Sequence, residues 1–284
     1  MLGRTHQTTF WRRVVETDPK GEAMTTVEKH EPGTFCWVEL ATSDLNAGRK
    51  FYEGIFGWKG DVRSFEGMGD YATFSVGDGR GAAGGYVQQE AERSMGVPPH
   101  WNLYIFSDEV DKDATKAAEL GGQVTVPPMD LQMGRMAVIA DPTGARFCLW
   151  RSDQMPGFKV RGEHGAFVWA DLITPDKDKA KEFYGGLFGW TWQETGEEFG
   201  NYTLVIRGEE QIAGFMSPMQ PEQPPVWMPY FAVDSAEGVF EAATKAGAQA
   251  MMPPTPIPTV GTFAVLADPQ GAVFALLQAL PREA

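Results

Sequence analysis

The sequence has little cysteine and no long apolar run. Its 284 residues include two cysteines, Cys36 and Cys148, which excludes a disulfide framework and is consistent with a reducing compartment. No segment reaches the length of a membrane-spanning helix, and the first 23 residues contain no apolar stretch of the kind that forms a signal-peptide core. We therefore expect a cytoplasmic protein without a membrane partner.

Positive charge is also scarce. Lys and Arg number 24 against 38 for Asp and Glu, which gives a formal net charge of −14. An acidic surface of this kind repels polyanions, because their phosphates carry the same sign of charge. The composition thus argues against a nucleic-acid partner.

The sequence does contain an internal repeat. The stretch FYEGIFGW at 51–58 returns as FYGGLFGW at 183–190, 132 residues later. A chain of this length suits about two domains. We predict a disordered extension at 1–32, a first domain at 33–152, a linker at 153–163 and a second domain at 164–280.

The sequence pattern of each copy predicts two β-α-β-β-β units. In the first copy an apolar strand at 35–40 precedes a helix at 44–56, which Ser43 or Asp44 caps and Gly57 ends. Two further strands, one from Tyr71 to Val76 and one from Ala82 to Val87, form a predicted hairpin. The second unit of each copy ends in a D-P-x-G turn before the last strand, at 141–144 and at 268–271.

The FY-x-x-x-FGW helix and the D-P-x-G turn together resemble the vicinal oxygen chelate superfamily over residues 33 to 279. That group includes glyoxalases, bleomycin-resistance proteins and extradiol dioxygenases. The resemblance implies an α+β fold of two tandem domains, in which paired β-α-β-β-β units curl a sheet around a cleft. The clefts could form within one copy or between copies, and the chain could be a monomer with an internal pseudo-dimer or a homodimer.

The resemblance also implies four positions in each copy at which family enzymes hold a divalent ion through His, Gln or Glu. Neither copy offers three nitrogen or carboxylate donors there, so we predict no metal and no cofactor. Motif matching places these positions near Trp37, Gly85, Asn102 and Cys148 in the first copy and near Trp169, Phe215, Met228 and Ala275 in the second.

Strand periodicity predicts which side chains face each cleft, since alternate residues of a strand share a face. Glu39 and Tyr104 are the candidate catalytic groups, with Glu39 as a base, because a mid-strand acid among apolar residues has a raised pKa when it is buried. The structural alternatives are an ion pair between Glu39 and Arg146 and core packing by the tryptophans. The candidate ligand-binding residues are Trp37, Asn102, Arg146, Cys148, Trp169, Asp171 and Tyr230.

Three functions remain open at this point. The first is a small-molecule-binding protein of the glyoxalase and bleomycin-resistance type that lacks the usual metal site, with its main site in the more polar first cleft. The second is a lyase, isomerase or dioxygenase-type enzyme that acts on a small carbonyl or aromatic compound. The third is a regulatory protein that senses a ligand.

Overall fold

A computed structural model describes residues 26–66, 69–196 and 200–280. The first copy contains β1 (Phe35–Thr42), α1 (Leu45–Phe56), β2 (Lys59–Phe65), β3 (Gly69–Ser75), β4 (Gly81–Val87), α2 (Glu90–Ser94), β5 (His100–Phe106), α3 (Val110–Glu119), β6 (Gln123–Leu131), β7 (Gly134–Ala140) and β8 (Arg146–Arg151).

The described residues of the second copy repeat this order without a counterpart of the short helix α2. It contains β9 (Phe167–Ile173), α4 (Lys177–Phe188), β10 (Thr191–Glu194), β11 (Thr203–Arg207), β12 (Glu210–Met216), β13 (Val226–Ala232), α5 (Ala236–Lys245), β14 (Gln249–Ile257), β15 (Gly261–Ala267) and β16 (Val273–Ala279).

Each copy builds one eight-stranded sheet from its own strands. The first sheet has the order β2-β3-β4-β1-β5-β8-β7-β6, and the second has the equivalent order β10-β11-β12-β9-β13-β16-β15-β14. The predicted α+β fold of two tandem domains is confirmed, and each sheet lies within a single copy. Among the described residues, no helix is both long enough and apolar enough to cross a bilayer.

The strand β1 lies in the middle of the first sheet, and all of its residues are buried. It pairs in parallel with β4 and in antiparallel with β5, so that Glu39 stands between Gly84 and Asn102. The strand β9 has the same place in the second sheet, where Asp171 pairs with Gly214. One acidic side chain is therefore carried at the centre of each sheet.

The helix α1 begins and ends as its sequence predicts. Asp44 accepts a hydrogen bond from the Ala47 amide at 3.0 Å, which satisfies a free N–H group of the first turn. Gly57 then ends the helix in the left-handed conformation, at φ 67°. The equivalent helix α4 has the same cap at Asp176, so both copies enter and leave this helix in the same way.

The repeated FGW sequence joins the two copies. The Trp58 indole donates to the Gly165 carbonyl oxygen at 2.9 Å, and the Trp190 indole donates to the Gly33 carbonyl oxygen at 2.8 Å. Each tryptophan thus satisfies its only polar group on the backbone of the other copy. The motif that reveals the repeat is part of the interface between its copies.

The repeated tyrosine of the same helix contacts the D-P-x-G turn of the other copy. Tyr52 donates to Asp268 Oδ2 at 3.1 Å, and Tyr184 donates to Asp141 Oδ2 at 3.0 Å. The second oxygen of each aspartate accepts hydrogen bonds from the backbone of its own turn. The two copies therefore form a reciprocal pair within one chain.

Residues 26–32 pack against the segment at 153–163. Thr26 forms an isolated β-bridge with Val160, and the His30 ring is buried against Phe158. Phe158 of that segment is itself fully buried. The rest of the expected extension, residues 1–25, lies outside the described residues.

Candidate functional site

A carboxylate, two phenols and an indole meet at the middle of β1. Tyr104 on β5 donates to Glu39 Oε2 at 2.6 Å, and Tyr71 on β3 hydrogen-bonds the same carboxylate. The Trp37 indole, on the same face of β1 as Glu39, donates to the Tyr71 hydroxyl at 3.1 Å. We call Trp37, Glu39, Tyr71 and Tyr104 the first cluster.

Burial is the main cause of the pKa shifts of Glu39, Tyr71 and Tyr104 in the first cluster. Glu39 is only 8% exposed, and this burial raises its pKa, while the hydrogen bonds from Tyr104 and then Tyr71 act in the opposite direction. Burial and the charge of Glu39 together raise the pKa of both phenols well above the ordinary value. The phenols therefore keep their protons and act as donors to the carboxylate.

The second copy contains an equivalent arrangement around Asp171. Tyr202 donates to Asp171 Oδ1, and Tyr230 donates to Oδ2 at 2.6 Å. The Trp169 indole lies 2.8 Å from the Tyr202 hydroxyl and 3.1 Å from Asp171 Oδ1. Burial raises the pKa of Asp171 to about 6 against these hydrogen bonds. We call Trp169, Asp171, Tyr202 and Tyr230 the second cluster.

A glycine makes room for one phenol in each cluster. A Cβ atom on Gly84 would collide with the Tyr71 hydroxyl and would lie 2.9 Å from the Trp37 indole nitrogen. A Cβ atom on Gly214 would collide with Tyr202 in the same way. Each tyrosine ring therefore lies directly on the neighbouring strand, a close approach that only glycine permits.

A cavity of about 440 Å³ opens onto the first cluster. All four cluster residues line it and form its buried floor. The exposed ion pair between Arg63 and Asp61, with 2.9 Å between Nε and Oδ2, lies at its rim. The remaining side chains of its wall are Phe65, Thr73, Ser75, Leu131, Gln132, Met133, Trp150 and Met155.

Three predicted site residues of the first copy do not line this cavity. Asn102 instead donates to the Tyr86 hydroxyl at 3.3 Å. Cys148 is buried beside Tyr104 in the strand register, and burial raises its pKa. Arg146 is exposed at the start of β8. The partners of Glu39 are phenols, so the ion pair with Arg146 considered above is not what balances this acid.

Tyr71 and Tyr202 are absent from the predicted site residues, and the position predicted near Gly85 on β4 is one residue too far along the chain. Gly85 faces the helix side, where an added Cβ atom would meet Phe74 and Leu45. In the second copy, the predicted position Phe215 likewise faces the helix side, where it packs against Tyr184 and Trp227. The signal that was available is the recurrence of a tyrosine at 71 and 202, each opposite a strand that carries a glycine.

Comparison with known proteins now identifies the family. A family model described as the Glyoxalase/Bleomycin resistance protein/Dioxygenase superfamily matches residues 34–149 and again residues 166–276. The chain belongs to this superfamily. Both matches fall on the eight-stranded units, so the predicted resemblance is confirmed for both copies of the superfamily domain.

Two relatives match this chain over most of their length and of its own. "Putative glyoxylase CFP32" of Mycobacterium tuberculosis is 37% identical over 257 residues, which cover 90% of this chain and 98% of the relative. "Anthracycline biosynthesis protein DnrV" of Streptomyces peucetius is 32% identical over 259 residues, which cover 87% of this chain and 94% of the relative.

Solved structures agree on the fold of the superfamily. The 2,3-dioxygenase LapB from Pseudomonas sp. KL28 superposes with a TM-score of 0.61 at 14% identity, covering 90% of this chain and 96% of its own. The Mn(II)-bound glyoxalase from Novosphingobium aromaticivorans superposes with a TM-score of 0.60 at 17% identity, covering 89% and 84%.

The donors of the two clusters do not fit a metal site of the superfamily type. Across the ranges 26–66, 69–196 and 200–280, no three His, Cys, Asp or Glu side chains come together in a way that could hold an ion. Each cluster supplies one carboxylate, and its oxygens already accept hydrogen bonds from phenols. A divalent ion needs more nitrogen or oxygen ligands than this.

Proposed function

We propose that this protein binds a planar aromatic small molecule in the cavity of its first copy, without a metal ion. The observation that supports this most directly is the cavity itself, whose floor is the first cluster. A concave, largely apolar site with a few converging polar groups is the usual form of a small-molecule site. In this site the Glu39 carboxylate and the two phenols lie at the floor of the cavity, and they would orient the ligand.

The aromatic lining favours a flat ligand. Trp37, Phe65 and Trp150 all border the cavity, and their faces offer broad apolar surfaces against which a ring system can stack. The volume of about 440 Å³ lies within the range of sites for drug-sized ligands. The name of the Streptomyces relative, an anthracycline biosynthesis protein, agrees with a polycyclic aromatic ligand.

A second candidate function is enzymatic, with Glu39 as a base acting on a small carbonyl or aromatic compound. The observation in its favour is that Glu39 borders the cavity and that burial raises its pKa, as general bases require. The glyoxylase name of the mycobacterial relative agrees with this alternative. Turnover of a bound carbonyl compound that is lost in Glu39→Gln would favour it over binding alone.

Ligand titration after treatment with a chelator tests the binding function. Three fluorescent probes on one three-ring frame cover the relevant chemistry: acridine, proflavine and anthracene-2-carboxylate. We expect saturable binding of at least one probe, unchanged by EDTA. The absence of saturable binding by all three, or binding that EDTA abolishes, would contradict the proposal.

A blocking variant with a matched control locates the site. Ser75 is half-buried in the cavity wall and pairs with Lys59 between β2 and β3. In the second copy, Ile206 pairs with Thr191 between β10 and β11 at the equivalent place. Ser75→Trp should fill the cavity and abolish binding. Ile206→Trp adds a tryptophan at the equivalent place and should retain it. Equal effects of the two substitutions would show that the ligand binds elsewhere.

A further inference from the structure

The polar groups of the cavity narrow the class of ligand. This step rests on the proposed binding function and concerns the chemistry of what is bound. We infer that the cavity of the first copy selects a planar aromatic ligand that presents hydrogen-bond donors, and best of all a cation, to the carboxylate and phenol oxygens of its floor.

The donors of the floor are consumed within the first cluster. The Tyr104 hydroxyl donates to Glu39 Oε2 at 2.6 Å, and the Tyr71 hydroxyl also hydrogen-bonds Glu39. The Trp37 indole N–H donates to Tyr71 at 3.1 Å. A phenol has one proton and an indole has one N–H. Once these are used, the floor has only oxygen lone pairs to offer a ligand.

Two donors of the wall are also engaged. The Trp150 indole N–H donates to the Met155 carbonyl oxygen at 2.9 Å, and the Ser75 hydroxyl donates to the Lys59 carbonyl oxygen at 3.3 Å. Thr73 and Gln132 can donate and accept alike, so they do not decide the polarity of the ligand. The inner surface of the cavity is therefore rich in acceptors.

The charges around the cavity act in the same direction. Glu39 carries the one buried acidic group of the lining, and a ligand cation against it would make a charge-assisted hydrogen bond. The rim adds no net charge, because the Arg63 guanidinium is paired with Asp61. Aromatic faces attract cations as well, and the whole chain carries a formal charge of −14. An anionic ligand would meet repulsion from each of these sources except the rim.

Only the first copy combines an acid cluster with a polar wall at these positions. Thr73 and Ser75 pair with Asp61 and Lys59 across the hairpin. The register of the second copy puts Leu204 and Ile206 at the equivalent places. The preference for a donor-bearing ligand is thus assigned to the cavity of the first copy.

The test ranks the three probes on the wild-type protein and on two variants. Proflavine is a cation with two amino groups, acridine is its neutral frame without them, and anthracene-2-carboxylate is an anion of the same size. Glu39→Gln removes the buried charge. Glu237→Gln makes the same chemical change at an exposed position of α5 in the second copy and controls for the net charge of the protein.

We expect proflavine to bind most tightly and anthracene-2-carboxylate most weakly. A lost charge-assisted hydrogen bond corresponds to roughly a 10- to 100-fold loss of affinity, so Glu39→Gln should weaken proflavine by that factor. The same variant should leave acridine nearly unchanged, and Glu237→Gln should leave all three probes unchanged.

The outcomes separate this inference from the proposed function. If anthracene-2-carboxylate binds as tightly as proflavine or more tightly, the inference is overturned while the binding function stands. The same holds if Glu237→Gln weakens proflavine as much as Glu39→Gln does, because the effect would then come from overall charge. No saturable binding by any probe would overturn the binding function itself. The ranking on wild-type protein decides the matter even if Glu39→Gln fails to fold.

Discussion

The pKa of Asp171 predicts how the stability of the protein depends on pH. Burial raises this pKa from an ordinary value of 3.8 to about 6 in the folded chain, and the side chain is almost completely buried. Between these two values the folded state holds a proton that the unfolded state has released. Stability must therefore fall as the pH rises from about 4 through about 6, and this contribution is lost by about pH 7.

The magnitude follows from the size of the pKa difference. Each pKa unit corresponds to about 1.4 kcal/mol, so a difference of about two units gives roughly 3 kcal/mol from this one group. Asp171→Asn removes the titration but keeps an acceptor for Tyr202 or Tyr230. The free energy of unfolding of the variant, minus that of the wild type, should rise by up to about 3 kcal/mol between pH 4 and pH 7.

Urea unfolding at a series of pH values, followed by tryptophan fluorescence, provides the assay. The difference between variant and wild type isolates Asp171, because other groups titrate in both proteins. His30, whose pKa burial lowers to about 4, is one such group, and its effect cancels. A difference that is constant with pH, or one that falls as the pH rises, would refute the account of the second cluster.

Two further predictions concern the packing of the fold. Gly84→Ala should destabilise the protein by roughly 1–3 kcal/mol, because the new Cβ atom collides with Tyr71. Gly54 lies at an exposed helical site with no atom within 4 Å of an added Cβ, so Gly54→Ala should be neutral or stabilising by up to about 1 kcal/mol. Urea unfolding measures both variants. An equal loss of stability in Gly84→Ala and Gly54→Ala would contradict this account. Tyr52→Phe and Tyr184→Phe should each cost about 1–2 kcal/mol in thermal or urea unfolding, since each leaves an aspartate of the other copy without its phenol donor. A neutral result for both tyrosine variants would show that these contacts do not stabilise the interface.

Much of the fold could be predicted because its signals are local. The cap at Asp44 and the left-handed Gly57 depend on residues within one turn of the helix. Alternation along a single strand was enough to place Trp37 and Glu39 on the same face. Both features repeat in the second copy, which makes the pattern hard to mistake for chance.

The candidate site was harder to predict, for physical reasons. The pair Gly84-Gly85 has no side chains, so polarity could not show which of the two faces the cleft. Tyr71 enters the first cluster only because its ring crosses over Gly84, a contact between strands that no single-strand pattern contains. Arg146 was predicted on a strand face, but alternation says nothing about depth, and this residue lies exposed at the strand end.

The role of the repeated helix was also beyond local patterns. Duplicated motifs look the same whether their side chains contact their own copy or the other one. The hydrogen bonds of Trp58 to Gly165 and of Tyr52 to Asp268 show that this motif contacts the other copy. The sequence repeat therefore marks an interface as well as a core.

Inductively coupled plasma mass spectrometry of untagged protein purified without a chelator, measured beside Glu39→Gln, tests directly whether the first cluster holds a metal ion. The first cluster holds its carboxylate with phenol donors in place of an ion. We therefore predict far less than one divalent ion per chain in both proteins. About one ion per chain in the wild type that is lost in Glu39→Gln would contradict the account, because Glu39 would then be a metal ligand.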